Sequence, residues 1–375
     1  GDVRRHAVKA IAVAAGDSEI PTQAIDALGQ ALKDGEARVR ANAAKAITRV
    51  AMSKTPRQAI GTLGEASEFP RRSEISAQVV SSLAEALKDR ETKVRIKAAS
   101  AIGDVAGTTP ISKEVIDALG EALQDSEDGV RAQAAWAIAQ AAGHSEVPAG
   151  VIVALGECLE SSGSIARRNA AGAILLAARK SQLPERVLET LSEALQDGER
   201  AVRYNAALAL GEAASRHAIH AAAIDALGEA LKDEDKDVRR CAARALAKAA
   251  NTHDLRGRVL QSLGHALKDG EKDVRRHAAR AIAADASKND IPADVVDALG
   301  AALGDMDLGV RRVAAHAIGE VASSKEVPGE VIDALGRALQ DKEEEVREIA
   351  AQSVRKAASR NEILEQVLAS AELKS

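Results

Sequence analysis

Three sets of residues could carry chemistry by type and spacing: eight histidines, two cysteines, and an arginine that recurs after valine along the whole chain. His6, His144, His217, His220, His253, His265, His277 and His316 are scattered. Only His217 and His220 stand at i, i+3. They lie where a loop meets a helix, so they read as surface loop residues rather than metal ligands. Cys158 and Cys241 are far apart and in no metal-ligand spacing, which argues against a zinc site or a disulfide scaffold and for a reducing compartment, the cytoplasm. No Gly-rich phosphate loop, Gly-x-Ser-x-Gly elbow or His-Glu-x-x-His occurs. The residues point to no catalytic group and no cofactor.

The arginines set the frame. Val-Arg recurs at Val3, Val39, Val94, Val130, Val202, Val238, Val274, Val310 and Val346, and Ala166-Arg167 fills the one gap. Every spacing is 36 residues except the 55 from Val39 to Val94, which is 36 plus 19. Ten copies are visible. Each copy predicts two helices. The first, as in Pro328 to Leu339, puts Val331, Ile332, Leu335 and Leu339 on one face, with Pro suited to the first turn. The second, as in Asp273 to Ile282, places apolar residues at +4, +7, +8 and +11 from the Val. At about 100° per residue these form one stripe, mostly Ala. Neither helix could bury its face alone, so the copies must stack. Glycines after Leu in the first helix, such as Gly120, Gly228 and Gly300, read as close-packing positions.

Composition agrees. Among 375 residues only Phe69, Trp136 and Tyr204 are aromatic, so the interior must be built from Ala, Leu, Ile and Val in thin layers. No run of about 18 apolar residues predicts a membrane span. Lys and Arg total 51 against 56 Asp and Glu, a net charge of −5, which disfavours a globally basic nucleic-acid binder.

An Asp stands six residues before the Arg in Asp34/Arg40, Asp89/Arg95, Asp125/Arg131, Asp197/Arg203, Asp233/Arg239, Asp269/Arg275, Asp305/Arg311 and Asp341/Arg347. On these residues the chain resembles the HEAT-repeat family, particularly the bacterial HEAT-like repeats found also in phycobilisome lyases. The resemblance implies an all-α fold, a right-handed α-solenoid of about ten 36-residue helix–turn–helix repeats. It also implies an Asp–Arg ladder between units and a concave surface lined by the second helices. The ladder is expected to break at Arg167, where Ser161 replaces the Asp. Deoxyhypusine hydroxylases share the repeat but carry His-Glu pairs, and this chain has none.

One array is expected over 1–375, with an extra helix and loop inserted at about 51–76, where Phe69, Arg71 and Arg72 stand. Half-units at both ends read either as cuts from a longer protein or as worn caps.

The informative positions vary while the frame stays fixed: +2, +3, +6 and +10 of the second helix, one continuous face away from the Ala stripe. Middle copies place Trp136, Tyr204 and Leu208 there. Later copies place Arg240, Cys241, Arg244, Arg276, His277, Arg280, Arg312 and His316 there. Aromatics and Arg are favoured anchors of protein interfaces. The expectation is a monomeric, non-enzymatic cytoplasmic scaffold without membrane contact. It binds a protein or peptide with an acidic segment through Trp136, Tyr204, Leu208, Arg240, Arg244, Arg276, Arg280, Arg312 and His316. The alternatives are nucleic-acid backbone binding through the Arg stripe, an accessory subunit of a tetrapyrrole lyase, and an engineered repeat scaffold. The insertion and the broken Asp speak against the last.

Overall fold

The computed structural model describes residues 2–17, 20–52, 77–161, 163–217, 219–255, 257–324 and 328–358. Most of the insertion, with Phe69, Arg71 and Arg72, and the C-terminal half-unit lie outside them. The described residues form 19 helices and no strand, an all-α solenoid built of helix pairs.

The chain divides into two compact units at residue 190. In the first, the first helices are α2 (Thr22–Ala31), α4 (Ala77–Ala86), α6 (Lys113–Ala122) and α8 (Ala149–Leu159). The second helices are α1 (Asp2–Asp17), α3 (Ala37–Met52), α5 (Thr92–Ala106), α7 (Asp128–His144) and α9 (Ser164–Ala178). The division falls inside α10 (Glu185–Ala194). In the second unit α12 (Ala221–Ala230), α14 (Gly257–Ala266), α16 (Ala293–Ala302) and α18 (Gly329–Ala338) are first helices. Second helices are α11 (Arg200–Ala214), α13 (Lys236–Ala249), α15 (Lys272–Ala286), α17 (Leu308–Ser324) and α19 (Glu344–Ala358).

Within each unit first helices pack on first helices and second on second, giving two layers. The core lies between the layers, where Leu28, Ile47, Leu83, Ile102, Leu119, Ile138, Leu155 and Ile174 have almost no exposure. The Ala stripe is as dry as expected: Ala98, Ala99, Ala101 and Ile102 of α5 are wholly buried. Small side chains there let second helices approach closely. First helices touch through glycine, since a Cβ on Gly120 would stand 2.8 Å from Val151 Cγ2, and one on Gly300 3.1 Å from Val331 Cγ2. The prolines sit one residue earlier than the sequence reading put them. Pro21, Pro148, Pro292 and Pro328 are N-cap residues in extended conformation, and their carbonyls accept the first helical N–H groups, as from Ala24 to Pro21 (2.9 Å).

The Asp–Arg ladder runs forward by one repeat. Arg95 donates from Nε and Nη2 to both carboxylate oxygens of Asp125 (2.6 and 2.9 Å), thirty residues ahead. The same fork joins Arg40 to Asp89, Arg203 to Asp233, Arg239 to Asp269, Arg275 to Asp305 and Arg311 to Asp341. The Asp six residues before each Arg contributes its backbone carbonyl instead, as Asp89 O accepts from Arg95 Nη1 (2.9 Å). Each carboxylate also caps its own turn, as Asp125 Oδ1 accepts from the Glu127 N–H (2.9 Å). Burial pushes the Asp125 carboxyl up, but the Arg95 guanidinium and the Glu127 N–H outweigh it and hold it below the usual carboxylate range.

Because the rung reaches forward, Ser161 takes the carboxylate from Arg131, not from Arg167. Arg167 keeps its backbone bond to Ser161 O (3.0 Å). Arg131 turns Nη2 to Asp128 within its own helix, leaving its Nε buried without a partner.

Candidate partner-binding face

Successive second helices leave the +2, +6 and +10 positions outward once the Ala stripe is buried. Position +3 is closer to the interior: Cys241 is buried and does not belong to the presented face. Its thiol is pushed up first by burial, while the Tyr204 hydroxyl lies within hydrogen-bonding reach.

Trp136 is the first unit's only member of the expected set. It is half-buried on α7, and its ring lies against Gly103 of α5, where a Cβ would stand 2.2 Å from Cζ3. The absent side chain of Gly103 makes the slot that holds it.

The second unit carries the others. Tyr204 and Leu208 are half-buried on α11. Three of the five expected arginines are already paired: Arg240 with Asp237 (2.8 Å), Arg276 with Asp273 (2.7 Å) and Arg312 with Glu345. The first two pairs come from Asp-Val-Arg-Arg, which sets a carboxylate three residues before the outward Arg, a signal present in the sequence. Arg244 and Arg280, both at +6, are exposed and have no ion pair among the described residues. His316 is exposed, with Nε2 3.6 Å from Glu320. Glu320 is held in turn by Lys356 (2.6 Å).

His277 lies between the arginines, and its Nδ1 is buried without a partner. Burial first, then the charges of Arg280, Arg276 and Arg244, push it down to about 4, against the opposing pull of Asp273. The imidazole is therefore neutral at pH 7.

Beside Arg280 a cavity of about 490 Å³ opens over α15 and α17. Ala283, Ala284, Val313 and Ile349 form its apolar lining, with Arg280, Arg312, His316 and Glu320 around them. The apolar lining escaped sequence reasoning because it is assembled from three helices.

Among the described residues no three His, Cys, Asp or Glu side chains are grouped to hold a metal, and no helix is long and apolar enough to cross a membrane.

Comparisons with known proteins give the frame a wider setting. A family model described as the adaptin N terminal region matches residues 58–373, and one described as a HEAT-like repeat matches residues 1–50. Among curated proteins nothing matches. A crystal structure described as an engineered protein is 23% identical, with 95% of each chain covered and a TM-score of 0.64. That likeness is one of fold alone.

Proposed function

Since the chain belongs to the adaptin N-terminal-region family of HEAT-type solenoids, whose repeats typically mediate protein interactions and are generally non-enzymatic scaffolds, we propose that it is a scaffold without catalytic activity that binds a protein through its second-helix face. The observation that carries this reading is the pair Arg244 and Arg280. The ladder arginines Arg40, Arg95, Arg203, Arg239, Arg275 and Arg311 are neutralised, and so are Arg240, Arg276 and Arg312. Among the described residues, Arg244 and Arg280, two exposed arginines on neighbouring helices, have no carboxylate partner. Tyr204 and Leu208 in the second unit and Trp136 in the first extend the reading to apolar anchors. Trp136 presents only the part of its ring that Gly103 does not cover. His316 and Arg312 complete the set at the cavity.

The test is site-specific photo-crosslinking in the cells that express the protein. A photoreactive residue is placed at Leu208 or His316 on the second-helix face, and at Asp117 or Asp333 on first helices as controls. A discrete protein adduct from the second-helix positions, insensitive to nuclease, is expected. Adducts only from first helices, or only to nucleic acid, would overturn the reading.

A further inference from the structure

The face of the second unit is specific enough to narrow the chemistry of the partner. Arg244 of α13 and Arg280 of α15 occupy the same +6 position on adjacent second helices. Packed helix axes lie about 8–10 Å apart. An extended chain advances about 3.3 Å per residue, so three residues of extended peptide cover one helix-to-helix step. The cavity begins at Arg280 itself and runs over α17 to Ile349 of α19, so a point one step beyond Arg280 still lies within it. Its apolar lining is Ala283, Ala284, Val313 and Ile349, and Glu320 stands in its wall.

Resting on the proposed scaffold function, we propose that this face takes an extended acidic peptide with a carboxylate at Arg244, a second carboxylate three residues later at Arg280, and an aliphatic side chain three residues beyond that in the cavity.

Three features select this occupant. The two free guanidiniums are planar forks suited to carboxylates, and they need no rearrangement of existing ion pairs. Glu320, held by Lys356, keeps a further negative charge out of the cavity while its Ala, Val and Ile lining accepts a methyl-bearing side chain. Arg240, Arg276 and Arg312 are already taken by Asp237, Asp273 and Glu345, which breaks up the positive track that a continuous polyanion needs. A nucleic-acid strand needs cations in series, whereas a peptide with two spaced acids and an apolar residue needs only two guanidiniums and the cavity.

Fluorescence anisotropy on the full chain tests this with a labelled peptide carrying Glu-Ser-Thr-Glu-Ser-Thr-Leu, beside versions with both Glu changed to Gln, with the second Glu moved by one residue, and with Leu changed to Ser. Binding of the first is expected, weakened about tenfold or more by Arg244→Glu or Arg280→Glu. Ile349→Asp should weaken the Leu peptide and leave the Ser peptide unchanged. Far-ultraviolet circular dichroism confirms that each variant is folded. On binding, the His277 ring signals should titrate at higher pH. Equal binding of the Gln peptide, indifference to both Arg variants, or no binding would overturn the inference. So would displacement by oligothymidylate with retained Arg dependence, which would reassign the face to nucleic acid. The crosslinking experiment uses no designed peptide, so it judges the scaffold reading separately.

Discussion

Arg275 and Arg276 are neighbours in sequence, yet they belong to different regions of the molecule. Arg275 turns to the ladder, where its fork is mostly buried against Asp305 (2.6 Å) and the carbonyls of Asp269 and Gly270. Arg276 turns about 100° further round the helix, to the outward face. The same split divides Arg239 from Arg240 and Arg311 from Arg312. On the ladder side an arginine recurs because its acceptors recur: a turn carbonyl behind and a carboxylate ahead. On the outward face the residue type drifts, and where the local Asp is also out of reach, as for Arg244 and Arg280, a guanidinium remains for something outside the chain. A ladder arginine in this molecule is structural; a face arginine is available only where no carboxylate of the described residues reaches it.

The largest expected effect tests that division directly. Arg275→Ala strands a mostly buried carboxylate at Asp305, and breaking a buried pair this way costs about 3 kcal/mol or more. Arg280→Glu, five residues on, removes no partner and should change stability by about 0.5 kcal/mol or less. Urea unfolding followed by circular dichroism measures both. Comparable losses in the two variants would erase the distinction between ladder and face.

Acid separates the regions by pH window. His277 binds its proton near pH 4 in the folded protein and near its ordinary value of 6.5 when unfolded. A depressed histidine leaves the unfolded state holding the extra proton between those values. Stability is therefore expected to fall as pH drops from about 6.5 towards 4, by at most about 1.4 kcal/mol per unit. The ladder carboxylates act lower. Asp89, Asp125, Asp305 and Asp341 are held below the usual range, so their contribution is present above about pH 4 and is lost as pH falls through their folded values. His277→Gln should flatten the upper window and leave the lower one intact. A wild-type profile flat between pH 6.5 and 4 would contradict the hold that burial and the neighbouring arginines have on His277.

Trp136 belongs to both regions, and its expected effect is smaller. A methyl on Gly103 would press into the ring at 2.2 Å and against Ala137 Cα at 3.1 Å. Gly103→Ala is therefore expected to cost about 2 kcal/mol, within the usual range for overpacking. Adding Trp136→Ala should recover part of it, because the clash is with the ring. If the double variant shows no coupling, the ring does not depend on the Gly103 slot and is freer to serve as an anchor.

Much of this was legible in the sequence. The 36-residue period, the two helices per copy and the Ala stripe follow from helical geometry alone, and the buried Ala98, Ala101 and Ile102 meet it. The direction of the ladder was not. An Asp six residues behind each Arg and another Asp one repeat ahead are equally regular, so spacing cannot say which one donates the carboxylate. That is why the broken rung moves from Arg167 to Arg131. The face was legible as a set of positions but not as a set of free charges. Asp237 and Asp273 stand at i−3 from Arg240 and Arg276 and could have been paired from sequence. Glu345 reaches Arg312 from the next repeat, which only packing reveals. The cavity needed three helices in place.

The smallest effect comes from repairing that rung. Ser161 is the one described ladder position where the forward acceptor is missing, and Arg131 Nε is buried without a partner. An aspartate there would give Nε a charged acceptor and would cap the turn as Asp125 does for Glu127. Some of the gain offsets the loss of the Arg131–Asp128 contact, which the new rung would draw apart. Ser161→Asp is therefore expected to stabilise the chain by about 1 kcal/mol at pH 7, the scale of one net charge-assisted hydrogen bond. The gain should vanish as the new carboxylate protonates below about pH 4, whereas Ser161→Asn should gain less and show no such acid window. A neutral or destabilising Ser161→Asp would mean that the turn at residues 160–164 has settled into a geometry that no longer admits a rung. The break would then be built into the backbone rather than carried by one missing carboxylate.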